Sequence, residues 1–484
     1  MLRFIHKSER KNPVGKTIMW FRKDLRLDDN TAFNKMLEES KESDELICIF
    51  HLNPLQFLEN SYNHNAFFYS VSTFYKQAKA NNVTIHFVYG NVEESFTALK
   101  RAFQDWDAIY FNKDERGFGS VRDQKMTVFF EDNQIQVHSY QDSHLHGVEE
   151  IKKPTGESYK VFTPYFRKWL AMPKRPYQRT MKIDKQFEKI THPLFTEGEK
   201  QFGQLVEKIV FPFEYECGEA VAEQYLKEFI KTHLHDYQKG RDYPFLDQTS
   251  KLSRFLRTGE LSIRKVWYAL NAEPVSDGRQ TFISELCWRD FYNMIYYENP
   301  KQKTQEIKEQ YRQLQWSYNQ ELFEQWKNGE TGFPIIDAGM RQLAQTGWMH
   351  NRLRMIVASF LTKDLMIDWR MGEEYFQKKL IDYDSASNIG GWQWAASTGT
   401  DAVPYFRIFN PTTQSEKFDH YGDFIRQFIP ELKNVPNKYI HEPGKMPMEF
   451  QKSINLVIGE DYPNPIVDHS KIRSEILTFF KKTT

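Results

Sequence analysis

The chain has 484 residues, with 65 basic and 65 acidic side chains and a formal net charge of zero. This length predicts two domains, because a single hydrophobic core rarely grows beyond about 250–300 residues. No stretch reaches the roughly 18 apolar residues of a membrane-spanning helix, so we expect a soluble, cytoplasmic protein that does not contact the membrane. A neutral chain neither indicates nor excludes a nucleic-acid partner, so any such site has to depend on local patches.

Cysteine and histidine residues are too dispersed to indicate a metal site. The three cysteines form no CxxC pair, which suits a reducing compartment. His144 and His146, like His233 and His235, are one residue apart, but neither pair has a third ligand nearby in the sequence. Since a zinc site needs three or four protein ligands, we expect no metal.

The first part of the chain alternates between apolar runs and helix-like segments. The predicted strands are 17–24, 45–52, 84–90 and 107–112, and the predicted helices between them are 62–80 and 92–105. This order is typical of a doubly wound parallel sheet in an α/β domain. We assign residues 17–145 to that domain, and the polar, basic residues 1–16 to a flexible extension.

Two further segments read as irregular. Gly117 and Gly119 lack the third glycine of a dinucleotide-binding fingerprint, so we predict a simple loop there. Residues 146–215 are rich in Lys, Pro and Glu and show little sustained periodicity, so we predict a long interdomain connection.

From residue 216 to residue 484 the pattern is helical and predicts an all-α second domain. The clearest amphipathic segments are 219–233, 249–258, 279–297, 335–345, 350–364 and 420–429.

Thr249, Ser250 and Ser253 place three hydroxyl groups where a helix is predicted to start. Free backbone amides at a helix start favour a phosphate or pyrophosphate, although an ordinary Ser/Thr cap gives the same pattern. Residues 237–265 also carry seven Lys or Arg against three acidic residues. That excess suits either phosphate contacts or a solvated helix face.

Two helical pairs combine groups that suit a flat polar ligand. Glu285 and Trp288 are three residues apart and share a helix face. In a pocket, Trp288 can stack on a base while Glu285 bonds its polar edge; the alternative is a core tryptophan beside a surface glutamate. Asn351 and Met355, one turn apart, add an amide and a thioether.

Residues 382–410 are too polar and glycine-rich for a simple core segment. The pair Gly390–Gly391 permits close approach of the backbone to a ligand. We predict that Trp392, Gln393 and Trp394 lie in a loop around such a ligand.

Three segments together resemble the DNA photolyase and cryptochrome family, over nearly the whole chain from about residue 17. They read WFRKDLRLDDN at 20–30, GWMHNRLRM at 347–355, and GGWQWAASTGTDA at 390–402 followed by FRIFNP at 406–411. The resemblance implies an α/β antenna domain and a helical domain that binds FAD. It also implies light-driven repair of cyclobutane pyrimidine dimers in DNA, in which excited reduced FAD lends an electron to a flipped-out dimer.

The resemblance also implies four groups of site residues. The FAD-binding group is Tyr237, Thr249, Ser250, Lys251, Leu252, Ser253, Phe282, Arg354, Asp382, Tyr383, Asp384 and Asn388, of which Asn388 faces the flavin N5. The dimer-pocket group is Glu285, Trp288, Asn351, Met355 and Trp394. DNA contacts come from Arg241, Arg352 and Arg407 together with Glu285, Trp288 and Asn351. A tryptophan chain for electron transfer comprises Trp392, Trp369 and Trp316.

Within the family, the sequence favours repair of cyclobutane dimers. Relatives that repair (6-4) lesions use a histidine pair in the pocket, whereas here Asn351 follows His350 and Met355 stands at the later position. Plant-type signalling cryptochromes carry an aspartate where this chain has Asn388, and often a long tail, whereas this chain stops at Thr484.

The sequence does not identify the antenna pigment. The loop 112–123 departs from the folate-binding pattern, with Phe118 and Gly119 in place of Asn-Glu. A folate, a deazaflavin, a second flavin or no antenna are all compatible with an α/β domain.

Two other functions are compatible with the same resemblance. A light-sensing signalling protein would bind FAD without repair, and it predicts that Glu285→Ala leaves its activity unchanged. A DNA-binding protein with structural FAD predicts lesion binding that light does not release. The intact pocket group and tryptophan chain favour the repair enzyme, which we expect to act as a monomer on DNA.

Overall fold

The computed structural model describes residues 15–42, 44–180, 183–405 and 407–481. Most of the predicted extension 1–16 lies outside these ranges, and Lys16 already belongs to the first strand. Within the described ranges, we find no helix whose length and apolar character would let it cross a bilayer.

A five-stranded parallel sheet forms the centre of the first domain, with the strand order β3-β2-β1-β4-β5. The strands are β1 (Lys16–Phe21), β2 (Glu45–Leu52), β3 (Ile85–Tyr89), β4 (Trp106–Asn112) and β5 (Gln136–Tyr140). The prediction of a doubly wound parallel sheet is confirmed, and the four predicted strands match β1 to β4. The fifth was not predicted because it is a polar edge strand, pairing with β4 along one side and only partly buried.

Helices cover both faces of the sheet, because successive strand residues point to opposite sides. In β1, Met19 and Phe21 belong to one apolar cluster, whereas Ile18 and Trp20 belong to the other. The helices of this part are α1 (Thr31–Glu39), α2 (Tyr62–Ala80), α3 (Val92–Ala102) and α4 (Gly117–Asp132).

The prediction of a loop at Gly117 and Gly119 is wrong. These glycines begin α4, which follows β4 after four residues. The apolar residues of α4 do not form a single stripe, so periodicity does not reveal the helix. Gly117 has a φ of +56°, a conformation that glycine adopts without the cost of a side chain.

The segment 146–215 is more regular than its composition predicts, since it contains α5 (Phe162–Ala171) and α6 (Pro193–Glu207). Helix α6 packs directly against β3 at the sheet edge. A side chain at Gly198 would place its Cβ 1.9 Å from the carbonyl oxygen of Phe87, so only glycine permits this approach. The second half of the predicted connection therefore belongs to the packing of the sheet.

The rest of the chain is predominantly helical, as predicted. Its helices are α7 (Glu219–Thr232), α8 (Tyr237–Gly240), α9 (Ser253–Thr258), α10 (Ile263–Ala272), α11 (Asp277–Glu298), α12 (Gln320–Asn328), α13 (Pro334–Thr346), α14 (Asn351–Ser359), α15 (Trp369–Lys379), α16 (Ser385–Ala395), α17 (Pro411–Phe418), α18 (Asp423–Phe428), α19 (Met448–Ser453) and α20 (His469–Lys481). A π-helical turn, Phe360–Asp364, extends α14. The helix predicted at 249–258 begins only at Ser253.

Buried ion pairs join the two parts of the chain. Arg26 and Arg264 each donate to Asp142 at 2.7 Å, and Arg264 also pairs with Asp29 at 2.9 Å. All four side chains are at most 3% exposed. Burial alone would raise the pKa of Asp142, but the two arginines lower it well below its usual range. These contacts fix the sheet relative to the helices that carry the site.

Candidate functional site

Asp382 is the point where three elements of the helical domain meet. It lies between α15 and α16, is 6% exposed, and accepts a hydrogen bond from the Ser253 hydroxyl at 2.7 Å. One terminal nitrogen of Arg354 donates to both of its carboxylate oxygens, at 2.8 and 3.0 Å. The structure thus brings together three of the predicted FAD-binding residues.

The backbone on either side of Asp382 is held by Arg257, which sequence analysis did not select. Its Nε donates to the carbonyl of Tyr383 at 3.0 Å, and its Nη1 donates to the carbonyl of Ile381 at 3.2 Å. Burial lowers the pKa of Arg257, and these carbonyls compensate for part of the lost hydration.

Asp384 is paired with an arginine of the α/β domain. Arg116, which precedes α4, donates to Asp384 and to Asn293 of α11. Burial would raise the pKa of Asp384, but Arg116 and Arg289 lower it well below its usual range. Asp384 also accepts the backbone N–H of Ser387 at 2.9 Å and so caps α16. Arg116 escaped prediction because it lies 268 residues away in the sequence.

Tyr383 and Asn388 share a buried partner, Glu373 of α15. The Tyr383 hydroxyl donates to Glu373 Oε1 at 2.7 Å, and the Asn388 amide donates to the same oxygen at 3.1 Å. Glu373 is 3% exposed, so the shared oxygen fixes the orientation of the Asn388 side chain.

Thr249, Ser250 and Lys251 line a cavity of about 340 Å³ beside α7. The Thr249 hydroxyl is buried and has no hydrogen-bond partner among the described residues. Leu252, Tyr237 and Phe282 lie in the neighbouring apolar cluster, where the rings of Tyr237 and Phe282 are 5.1 Å apart. A buried hydroxyl and a lysine next to an apolar wall fit the polar and apolar parts of a dinucleotide such as FAD.

Glu285 and the predicted lesion residues form a chain of charged contacts. Arg241 donates to Glu285 and lies 3.9 Å from Asp242, which accepts a hydrogen bond from Arg352 at 2.7 Å. Burial raises the pKa of Glu285, an effect that Arg241 opposes. These contacts fix two arginines and one glutamate at the same site.

Asn351 and Met355 join this group at the start of α14. The Asn351 amide lies 3.8 Å from the sulfur of Met355, and Arg352 lies 3.9 Å from the same sulfur. Asn351 is exposed and Met355 is half-buried. The predicted one-turn pairing of these two residues is therefore present.

Trp288 and Trp394 have separate surroundings. Trp288 stacks on Phe162 of α5, which sequence analysis did not select. Trp394 lies on α16, 6.4 Å from Phe409 between ring centroids.

The prediction that Trp392, Gln393 and Trp394 lie in a loop is wrong, because Ser385–Ala395 is a helix. Gly390 serves packing: a Cβ there would lie 2.3 Å from Tyr292 of α11. Gly391 faces open space, so it is the glycine of the pair that leaves room for a ligand.

Two predicted groups of cations are more dispersed than expected. Arg407 is exposed in the segment before α17. It takes no part in the described contacts of Arg241 with Glu285 and of Arg352 with Asp242. The basic excess at 237–265 is divided among ion pairs: Arg264 is buried against Asp29, and Lys265 bonds Asp28 at 2.6 Å.

The three predicted electron-transfer tryptophans are all buried, with at most 7% exposure. The tip of the Trp392 indole reaches α15 at Gly372, where a Cβ would lie 2.1 Å from the ring. Gly372 is one turn from Trp369, on the same helix face. Trp369 and Trp316 both donate their indole N–H to Glu306, each at 3.2 Å.

A sheet domain joined to a helical domain whose buried carboxylates, hydroxyls and cations fit FAD defines a flavoprotein class, and comparison with known proteins identifies the family. Residues 17–182 match the family model described as DNA photolyase, and residues 282–482 match the FAD binding domain of DNA photolyase. The deoxyribodipyrimidine photo-lyase of Alkalihalophilus pseudofirmus is 46% identical over 468 residues, which are 96% of this chain and 97% of that relative.

Solved structures agree with these matches. A bacterial class III photolyase from Agrobacterium tumefaciens superposes with a TM-score of 0.86 and 32% identity, over 98% of this chain and 99% of that one. An archaeal photolyase from Sulfolobus tokodaii with two FAD molecules superposes with a TM-score of 0.81 and 32% identity, over 96% and 100%. The chain belongs to the DNA photolyase family.

Proposed function

We propose that this chain repairs cyclobutane pyrimidine dimers in DNA under blue light, with the residue roles given below. The observation that carries the proposal is the chain of contacts from Glu285 through Arg241 and Asp242 to Arg352, because it links this carboxylate to the start of α14, where Asn351 and Met355 lie. When bound, FAD supplies the chemistry, since its reduced and excited form gives an electron to the dimer and recovers it after the ring opens.

Asp382, Ser253 and Arg354 hold the polar edge of the FAD site, and Thr249, Ser250 and Lys251 receive its phosphates. Asp384 and Tyr383 complete this edge, and Asn388 faces the flavin N5. Leu252, Tyr237 and Phe282 form the apolar wall. The buried hydroxyl of Thr249 supports this assignment, because an unpartnered buried polar atom is costly unless a ligand bonds it.

Glu285 and Asn351 bond the polar edges of the flipped-out dimer, and Met355 and Trp394 pack against it. Trp288 supplies an aromatic face. Arg241, Arg352 and Arg407 contact the DNA backbone. Such a pocket selects a dimer over normal bases partly because an already distorted lesion costs less to unstack, by a few kcal/mol at most.

The proposed oligomeric state, location, domain bounds and antenna pigment are those that the family resemblance implies. We propose a monomer in the cytoplasm, with an antenna domain at 17–145, a connection at 146–215 whose helix α6 packs on the sheet of that domain, and an FAD domain at 216–484. A second chromophore in the antenna domain is compatible with the family, since the Sulfolobus tokodaii photolyase holds two FAD molecules. Folate, deazaflavin and flavin are the candidate pigments.

The test is binding in darkness followed by release in light. With its flavin reduced, the protein should bind an oligonucleotide with one thymine dimer more tightly than the undamaged strand, and blue light should remove this preference. Glu285→Gln should weaken the dimer affinity about fivefold or more, because a polar group left without its partner in the bound state costs about 1–3 kcal/mol. Glu298→Gln, at the end of the same helix, is the matched control.

Each alternative gives a different outcome. Equal affinity for damaged and undamaged strands would contradict the proposal and favour a signalling protein. Dimer binding that light does not release would favour a DNA-binding protein with structural FAD.

A further inference from the structure

A single buried carboxylate lies between two tryptophans of the proposed electron-transfer chain. Glu306 is 3% exposed, and its Oε1 accepts the indole N–H of Trp316 and that of Trp369, both at 3.2 Å. The two indole nitrogens are therefore no further apart than twice that distance. Hydrogen bonds to an ionised acceptor are stronger than neutral ones, so Glu306 fixes the position of both rings.

The surrounding backbone holds this arrangement. The N–H of Ser317 donates to the carbonyl of Met366 at 2.8 Å, and the N–H of Asp368 donates to the carbonyl of Ser317 at 3.1 Å. These bonds place the residue after Trp316 beside the segment that leads into Trp369. The second oxygen of Glu306 accepts a hydrogen bond from Arg370 at 2.8 Å.

The three tryptophans differ in their electrostatic surroundings. The indole N–H of Trp392 is buried and has no hydrogen-bond partner among the described residues. Trp369 has the carboxylate, but the guanidinium of Arg370 lies 4.7 Å above its ring. Trp316 bonds the same carboxylate oxygen, whereas the described cation–ring contact of Arg370 is with Trp369 and its hydrogen bond is to the second oxygen of Glu306.

These differences set the direction in which positive charge moves. A carboxylate next to an indole stabilises the oxidised, positively charged ring, and a cation over the ring destabilises it. In a buried site both effects exceed their values in water. Oxidation is therefore least favourable at Trp392, intermediate at Trp369 and most favourable at Trp316, the outermost of the three with 7% exposure.

We propose that Glu306 draws the electron hole outward along the tryptophan chain and accepts the indole proton of Trp316. This inference depends on the proposed tryptophan chain, whose first oxidant is the photoexcited oxidised flavin. An electron passes from Trp316 to oxidised Trp369, which is restored, and leaves Trp316 as a radical cation. The Nε1 proton of Trp316 then moves to Glu306 Oε1, which yields a neutral tryptophan radical and a protonated carboxyl.

The consequence is a trapped charge separation. Once the proton has moved, return of the electron to Trp316 requires return of the proton as well, which slows recombination. Glu306 would thus lengthen the time in which an external reductant can act.

The test is transient absorption after a laser flash on the purified protein with oxidised FAD, because the radical cation and the neutral radical of tryptophan have different spectra. The native protein should form the neutral radical without dependence on buffer concentration and more slowly in D₂O. Glu306→Gln, which keeps an oxygen acceptor but loses the charge, should lengthen the lifetime of the radical cation at least tenfold and lower the yield of long-lived radical. Glu309→Gln, at an 82%-exposed side chain three residues away, is the control.

A deprotonation rate and a radical yield unchanged in Glu306→Gln would overturn the inference. If that variant folds poorly, Glu306→Asp keeps the charge on a shorter side chain and should retain the neutral radical, whereas a persistent radical cation there would also contradict it. Trp316→Phe distinguishes a failure of the Glu306 role from a failure of the tryptophan chain. If it leaves the radical signal unchanged, the tryptophan chain itself is wrong. Dimer splitting with chemically reduced flavin, measured on the native protein and on Glu309→Gln, tests the proposed repair function separately.

Discussion

Trp288 lies flat against Phe162, with ring centroids 3.6 Å apart and ring planes 2° from parallel. Trp288 belongs to α11 and Phe162 begins α5, in the segment whose composition indicated an irregular connection. One face of the indole is therefore covered by a residue from a distant part of the chain. The stack fixes the orientation in which Trp288 meets the proposed lesion.

Phe162→Ala should weaken binding of a dimer-containing oligonucleotide about 2-fold to 12-fold in darkness. An aromatic pair contributes about 0.5–1.5 kcal/mol beyond its buried area, and its loss leaves Trp288 free to turn. Phe166→Ala, one turn further along α5, is the control, because it removes a ring from the same apolar cluster and keeps the contact between Phe162 and Trp288. Equal effects of the two changes on dimer affinity would argue against a role of the stack.

Gly390→Ala should destabilise the protein by about 1–3 kcal/mol, because the new Cβ would lie 2.3 Å from the Tyr292 ring and either α16 or Tyr292 must move. Gly391→Ala has no atom within 4 Å of its Cβ and should be neutral, or stabilising by up to about 1 kcal/mol. Denaturant unfolding measures both changes. If the two variants had the same free energy of unfolding, the proposed packing of α16 on α11 would be wrong.

His350 should make the stability depend on pH below neutrality. Burial is the main cause that lowers its pKa to about 4, from 6.5 in an unfolded chain. Between these values the unfolded state binds more protons, so His350 contributes its full stability above pH 6.5 and loses it as the pH falls toward 4. The total is about 3 kcal/mol, with a slope of at most about 1.4 kcal/mol per pH unit.

His350→Asn should reduce this slope by the part that His350 contributes and keep the helix, because His350 Nδ1 accepts the N–H of Arg352 at 3.1 Å and an asparagine oxygen can do the same. The measurement is the free energy of unfolding at several pH values from 4 to 7. His235→Asn, at an exposed position, is the control. A slope that His350→Asn leaves unchanged would contradict the prediction, whereas a smaller remaining slope is expected because burial also lowers the pKa of His51 to about 4.

Arg407 should contribute to DNA affinity by charge alone. It is exposed, whereas Arg241 and Arg352 are paired with Glu285 and Asp242. Arg407→Ala should reduce the slope of log K against log salt concentration by about 0.9 for double-stranded DNA. It should weaken damaged and undamaged DNA equally, whereas Lys200→Ala on α6 should change neither. A loss restricted to damaged DNA would place Arg407 in the lesion pocket.

Local patterns predicted the parts of the fold that depend on neighbouring residues. The strands β1 to β4 are continuous apolar runs, and the pairs Glu285–Trp288 and Asn351–Met355 follow from helix geometry alone. Polar edge strands and helices without an apolar stripe carry weaker patterns, which is why β5 and α4 were missed. The glycines at 390–391 were interpreted as room for a ligand beside a loop. Sequence cannot show that Gly390 instead makes room for Tyr292 of a neighbouring helix.

Residues that act through distant contacts had no sequence pattern to reveal them. Arg116 reaches Asp384 across 268 positions, and Glu306 reaches Trp369 across 63. Both are ordinary charged residues in polar segments, which usually form solvated surface. Only the folded structure brings Arg116 to a carboxylate and Glu306 to an indole, so these charged surroundings of the candidate site could not be predicted. The residues at its centre could be selected from sequence because they lie in the recognisable segments.

The most direct test of the repair function compares light with darkness. The purified protein, with its flavin reduced, is mixed with an oligonucleotide that contains a thymine dimer, and the intact thymine recovered is measured after blue light and after the same time in darkness. We expect recovery only in light, and its loss in Glu285→Ala. No recovery in light from protein that holds reduced FAD would contradict the assignment of repair to this chain.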